Sequence, residues 1–320
     1  MTDQAKPSLE YFPITFFAVV MGLSGLALAL RAAGHAFGLS LAGDLAGLVV
    51  VGFVFVAIAL VYLLKWVRFP AAVRAEWHHP VRLSFFPAIT ISLLLLAALA
   101  VPVNNGVARV LWIIGAVGQF GLTLAVVSGW IGARSFQMGA LNPAWFIPAV
   151  GNVVAPLAGA GLGYVELSWY FMSVGLLFWL VLLALVFNRL IFHDPLPARL
   201  QPTLVILIAP PAIGFMAWLR LTGEIDAVAR ILLNSAWFFT ALVAVQLPRI
   251  LRLPFAMSFW ALSFPIAAVT IATLTYAAAT RHPGLMWLGG ALLLVLVVVI
   301  AGLVLRTVRG LMSGEVLLPE

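Results

Sequence analysis

Cysteine is absent from this sequence, and charged side chains fill only 8% of its 320 positions. The first absence excludes a disulfide framework and thiolate chemistry. The second excludes an ordinary water-soluble domain, in which about a quarter of residues carry charge. Acidic residues are scarcest: 10 Asp and Glu stand against 17 Lys and Arg, a formal charge of +7. Whole stretches, such as Phe85 to Ala108 and Trp145 to Tyr164, hold no Asp, Glu, Lys or Arg. Each is long enough for the ~20 apolar residues of a membrane-crossing helix. The alternation of polar and apolar residues that a transmembrane β-barrel requires is also missing.

What is present is a series of ten apolar runs separated by Gly, Pro and charge clusters. They cover 14–30, 45–66, 84–101, 107–130, 144–162, 165–188, 202–219, 225–247, 256–279 and 284–306. At ~20 residues per span they use most of the chain, which therefore reads as a single transmembrane domain over 1–320 with no sizeable soluble part. Ala27-Leu28-Ala29 has the small residues of a secretory cleavage site. The segment before it, however, sets Asp3 and Glu10 against Lys6 alone, the wrong charge for a leader, so the first run reads as a retained span.

Basic residues give an orientation. With a cytoplasmic N-terminus, one side receives Lys6, Lys65, Arg68, Arg74, Arg82, Arg134, Arg189, Arg199, Arg249, Arg252, Arg306 and Arg309. The other keeps Arg31, Arg109, Arg220, Arg230 and Arg281. That bias predicts an even number of spans and two cytoplasmic termini.

Prolines add a repeat. They fall inside the odd-numbered spans, at Pro87, Pro148, Pro210-Pro211 and Pro265, about one helical hairpin apart, whereas the even spans have none in their interiors. A proline frees backbone carbonyls, and at membrane depth such groups are tolerated only against protein or in a water-filled cavity. Five hairpins follow, with kinked odd helices inside and smoother even helices outside. The first span offers only Pro13 near its start, then Gly22 and Gly25.

No span centre holds an ionisable side chain, which favours a passive pathway over a coupled pump. Asp44 and Glu166, near outer helix ends, read as interfacial. Basic residues at both rims and the absence of any acidic ring suit anions, although positive-inside topology explains the same excess. Enzyme chemistry finds no support: neither a phosphate-cradling glycine motif nor a nucleophile elbow is present. Glu76, His78 and His79 lack metal-ligand spacing and read as helix-capping and headgroup-facing residues. No cofactor, metal or nucleic-acid partner is expected; small anions and membrane lipid are. Phe264 stands out among the 22 phenylalanines, because it precedes Pro265 in a helix expected to line the pore. A bulky ring at a kink can close a narrow path by steric blocking and dewetting. Gly22, Phe86, Pro87, Pro148, Pro210, Pro211 and Pro265 are the further candidates for pore lining or kinks.

Four segments also carry a family resemblance: Val73-Arg-Ala-Glu-Trp-His-His-Pro-Val-Arg-Leu-Ser-Phe85, Asn142-Pro-Ala-Trp-Phe-Ile-Pro148, Ala209-Pro-Pro211 and Trp260-Ala-Leu-Ser-Phe-Pro265. In this order the chain resembles the tellurite-resistance and dicarboxylate transporter family, which contains bacterial TehA and the plant guard-cell slow anion channels. The resemblance implies ten helices as five hairpins in quasi-five-fold symmetry, a central pore lined by the odd helices, and a homotrimer with one pore per subunit. Its motif places the occluding phenylalanine at Phe264. Where the TehA branch has a proline within the first span, this chain has Val19-Val-Met-Gly22. The expected function is a gated anion channel or transporter of the inner membrane. The alternative is a coupled secondary carrier for C4-dicarboxylates, sulfite or tellurite-type oxyanions.

Overall fold

The computed structural model describes residues 8–39, 43–133, 136 and 138–318. Lys6 and Arg134, used above for orientation, lie outside them. Twelve α-helices are present among the described residues: α1 (Phe17–Phe37), α2 (Asp44–Arg68), α3 (Pro70–His78), α4 (Ala88–Ala100), α5 (Asn105–Ser128), α6 (Phe146–Val150), α7 (Pro156–Gly159), α8 (Val165–Phe192), α9 (Ala209–Thr222), α10 (Ala227–Ile250), α11 (Ser263–Thr280) and α12 (Pro283–Ser313). Local chemistry sets their ends. Asn104 caps α5 by accepting from Val107 N at 3.0 Å, and Asp226 caps α10 by accepting from Ala229 N at 2.9 Å. Gly314 ends α12 at φ +77°, a left-handed conformation that costs glycine little.

The odd spans start differently from the even ones. Tighter 3₁₀ turns at Ile14–Phe16, Arg82–Phe85, Pro143–Trp145, Ala198–Ile208 and Met257–Leu262 lead into α1, α4, α6, α9 and α11. None of α2, α5, α8, α10 and α12 has such a lead-in among the described residues. Among the described residues, nine helices are long and apolar enough to cross a membrane, and Pro143–Gly159 is a shorter apolar one. The continuous fifth helix expected over 144–162 is instead broken, with a 3₁₀ turn at Gly151–Val154 between α6 and α7. Pro148 and Pro156 remove two ladder donors from this stretch. Because a 3₁₀ turn rises ~2.0 Å per residue rather than ~1.5 Å, the 17-residue stretch still extends about 29 Å, close to a bilayer core.

Burial separates two rings. The long odd spans bury 61 to 89% of their apolar stretch within the protein, while the even spans bury 17 to 33%. Inside, α1 touches α4, α4 touches α7, α7 touches α9, α9 touches α11, and α11 returns to α1. Each even helix packs against the odd helix before it. Small residues permit this close approach: a Cβ added at Gly25 of α1 would stand 2.6 Å from the Ala267 methyl of α11.

Candidate functional site

Where the five inner spans converge they leave a narrow cavity of about 70 Å³. Every one of them contributes to its wall: Ala18 and Met21 from α1, Phe85 and Ile91 from the third span, Phe146, Ile147, Val150, Gly151, Val153 and Val154 from the broken fifth, Ile206, Ala209, Pro210 and Ile213 from the seventh, and Trp260, Ala261, Phe264 and Pro265 from the ninth. No lining side chain is charged. The one polar side-chain atom of the wall, the Trp260 indole nitrogen, donates to Thr307 of α12 at 2.8 Å. The space is wide enough for a few water molecules but offers them no side-chain partner, so water is poorly held there.

The structure brings Phe264, Pro265 and Pro210 to this wall and places the other candidates behind it. Phe86 turns away: its ring meets Trp77 at 5.0 Å and Tyr62 at 6.4 Å, while its neighbour Phe85 faces the cavity. Gly22 lies in the contact between α1 and α11, where a Cβ would meet Ser263 Oγ and approach the Trp260 ring at 3.1 Å. The helix runs unbroken through that point. Pro211 is buried in the first turn of α9.

Pro87 and Pro148 anchor a buried polar network that the sequence reading missed. Gln119 of α5, wholly buried, accepts from Thr90 Oγ1 at 2.7 Å and donates to the Pro148 carbonyl at 3.2 Å. Thr90 donates also to the Pro87 carbonyl, Thr123 to the Pro148 carbonyl, and Asn152 Nδ2 to Thr123. The Pro148 carbonyl is thus satisfied by Gln119 and Thr123 of outer helix α5, and the Pro87 carbonyl by Thr90 of its own span, as a membrane interior demands. One Gln and one Thr within an otherwise apolar span were the available signal.

A second missed feature sits at the entrance of α1. Glu76 and Lys65 are 2% and 1% exposed, and their ion pair measures 3.0 Å. Tyr62 donates to Glu76 at 2.8 Å, Ile14 N donates to its other oxygen at 3.3 Å, and Lys65 Nζ donates to Phe12 O at 2.8 Å. The expected headgroup-facing role of Glu76 is therefore replaced by a buried one: its carboxylate ties the start of α1 to α2 and α3. His78 and His79 stay exposed and turn Nδ1 to the backbone of Arg74, and of Val81 and Arg82. Arg31 and Asp44 pair at 2.6 Å at the opposite end of α1 and α2, where Arg31 also donates to the last carbonyls of α4.

Broken inner helices around an apolar cavity, shielded by an outer layer of apolar helices, define an all-α, multi-pass membrane protein. The chain belongs to the SLAC1 voltage-dependent anion channel family, whose profile matches residues 11–308. Over 227 residues it is 34% identical to the S-type anion channel SLAH3 of Arabidopsis thaliana, a match covering 70% of this chain but 36% of the plant protein. It is 28% identical over 294 residues to the uncharacterized transporter MJ0762 of Methanocaldococcus jannaschii, covering 83% of this chain and 84% of that one. With the tellurite resistance protein TehA homolog of Haemophilus influenzae it shares 29% over 261 residues, or 80% and 79% of the two chains. The chain thus spans about a third of the plant channel and most of the two prokaryotic relatives.

Proposed function

We propose that this chain passes small anions through the central cavity, that the Phe264 ring closes that path, and that the protein is a transporter and not an enzyme. The observation that carries the reading is the position of Phe264 in an apolar wall to which all five inner spans contribute. A dry constriction excludes hydrated ions until it widens, and a ring that moves aside provides the widening. Without an ionisable group on the wall, no residue there can exchange a proton with the transported ion, which favours passive flow. Basic residues at both rims and the +7 charge favour anions. The five hairpins read as a quasi-five-fold arrangement, the arginine-rich end as the cytoplasmic face of the inner membrane, and the assembly as a homotrimer with one pore per subunit. Native mass spectrometry of the detergent-solubilised protein tests that last point.

Phe264→Ala is expected to raise chloride, nitrate or malate flux into liposomes by about tenfold or more, equivalent to removing ~1.4 kcal/mol of barrier. Unchanged flux in a folded, inserted variant removes the gate assignment. Flux that saturates and follows an imposed proton gradient replaces the channel with a coupled carrier.

A further inference from the structure

At the arginine-rich end, the lead-in to α11 and the last turns of α12 border an open concavity of about 920 Å³. Arg199, Arg306 and Arg309 line it, and Glu315 is the one acidic residue of its wall. Among the described residues, no ion pair or side-chain hydrogen bond holds any of the three guanidinium groups; Arg306 lies 6.0 Å from the centre of the Phe255 ring. Positive-inside topology explains why arginines gather at this end. It does not explain why three of them, from two segments distant in sequence, converge on one hollow with a single carboxylate.

Like charges gathered without counter-ions raise the local positive potential and attract a ligand of opposite sign. Guanidinium forks match the oxygens of phosphate bidentately, and basic pockets between membrane helices receive phosphorylated headgroups. Three guanidiniums less one carboxylate leave two positive charges in excess. We propose that Arg199, Arg306 and Arg309 bind a phosphate group carrying at least two negative charges, supplied either by a soluble polyphosphate or by a phosphorylated lipid headgroup.

The hollow is connected to the cavity wall. Met257 lines it and opens the turn Met257–Leu262, whose Trp260 faces the central cavity and bonds to Thr307, the neighbour of Arg306. An occupant therefore bears on the turn that precedes Phe264. Its effect on flux rests on the pore reading above, whereas binding does not.

Binding is tested on the full chain without measuring transport. In detergent at fixed ionic strength, pyrophosphate is titrated by calorimetry. In nanodiscs, retention of a phosphatidylinositol phosphate over phosphatidylcholine is read by native mass spectrometry. Saturable binding in one arm is expected, weakened about tenfold or more by Arg306→Gln with Arg309→Gln. Arg199→Gln, on a separate segment, repeats the loss if the double variant folds poorly. Arg109→Gln, exposed near the other end of the bundle, leaves binding unchanged. Pyrophosphate binding names the soluble source, and retention of the phosphorylated lipid alone names the lipid. Absence of saturable binding in both arms overturns the proposal. So does equal weakening by Arg109→Gln, or competition by chloride as effective as pyrophosphate itself.

Discussion

The inner and outer helices of this protein solve opposite problems. Three outer helices, α2, α8 and α12, exceed every long inner span in mean hydropathy, at 2.9, 2.5 and 3.0, while the spans of α5 and α10, at 2.1 and 1.7, overlap the inner range; all five bury 33% or less of their apolar stretch. The long inner spans, at 1.7 to 2.3, bury 61% or more. In water the most apolar element goes inside; in a bilayer the lipid accepts it, and the centre is left to helices whose backbone needs protein partners. Prolines and 3₁₀ turns therefore concentrate inside, and long Leu and Val runs outside.

Substitutions that move a residue across this divide sharpen or break the comparison. The largest effect is expected at the entrance of α1, where Glu76→Gln leaves Lys65 charged and buried without its carboxylate. Loss of one partner from such a pair costs about 3–5 kcal/mol, and the melting temperature in detergent reports it. Joint replacement by Lys65→Met and Glu76→Leu should restore only part of the loss, because Ile14 N, the Tyr62 hydroxyl and the Phe12 carbonyl then lose their partners. A full-strength Glu76→Gln protein would mean that this pair does not hold the ring entrance.

Next comes the contact between α1 and α11. Gly22→Leu pushes a side chain into Ser263 and Trp260 and should cost about 3 kcal/mol by overpacking. Gln119→Leu follows at about 1–2 kcal/mol, because hydrogen bonds between membrane helices are individually modest. Its sharper signature is local: hydrogen exchange should rise around Pro148, whose carbonyl loses Gln119. Exchange unchanged at that turn would show that Thr123 suffices there. The smallest effect belongs to the outer layer. At Gly52 of α2 an added Cβ meets nothing within 4 Å, so Gly52→Ala should shift stability by no more than about 0.5 kcal/mol. A cost there equal to that at Gly22 would erase the distinction between the layers.

Much of this architecture was readable from the chain. Apolar runs and proline spacing pointed to the spans and to which of them lie inside, because hydropathy and backbone breaking are local properties. The aromatic at the ninth kink lies on the cavity wall, whereas Phe86 and Gly22 lie behind it. Orientation about a helix axis follows from packing that proline spacing does not record. One helix boundary also moved: Pro248 falls in the last turn of α10 rather than beyond its end, where its missing N–H removes one ladder bond near the terminus.

Composition by itself determined that this chain lives in a bilayer, since burying so few charges among so many apolar residues has no stable alternative in water. Tertiary structure decided the rest. Lys65 and Glu76 meet across the break at Phe69 and Pro70, Gln119 bridges Thr90 of the third span and the Pro148 carbonyl of the fifth, and Phe85 rather than Phe86 faces the centre. Each depends on distances between helices, and those are set by which small residues let two backbones approach, a property of pairs that no single stretch of sequence contains.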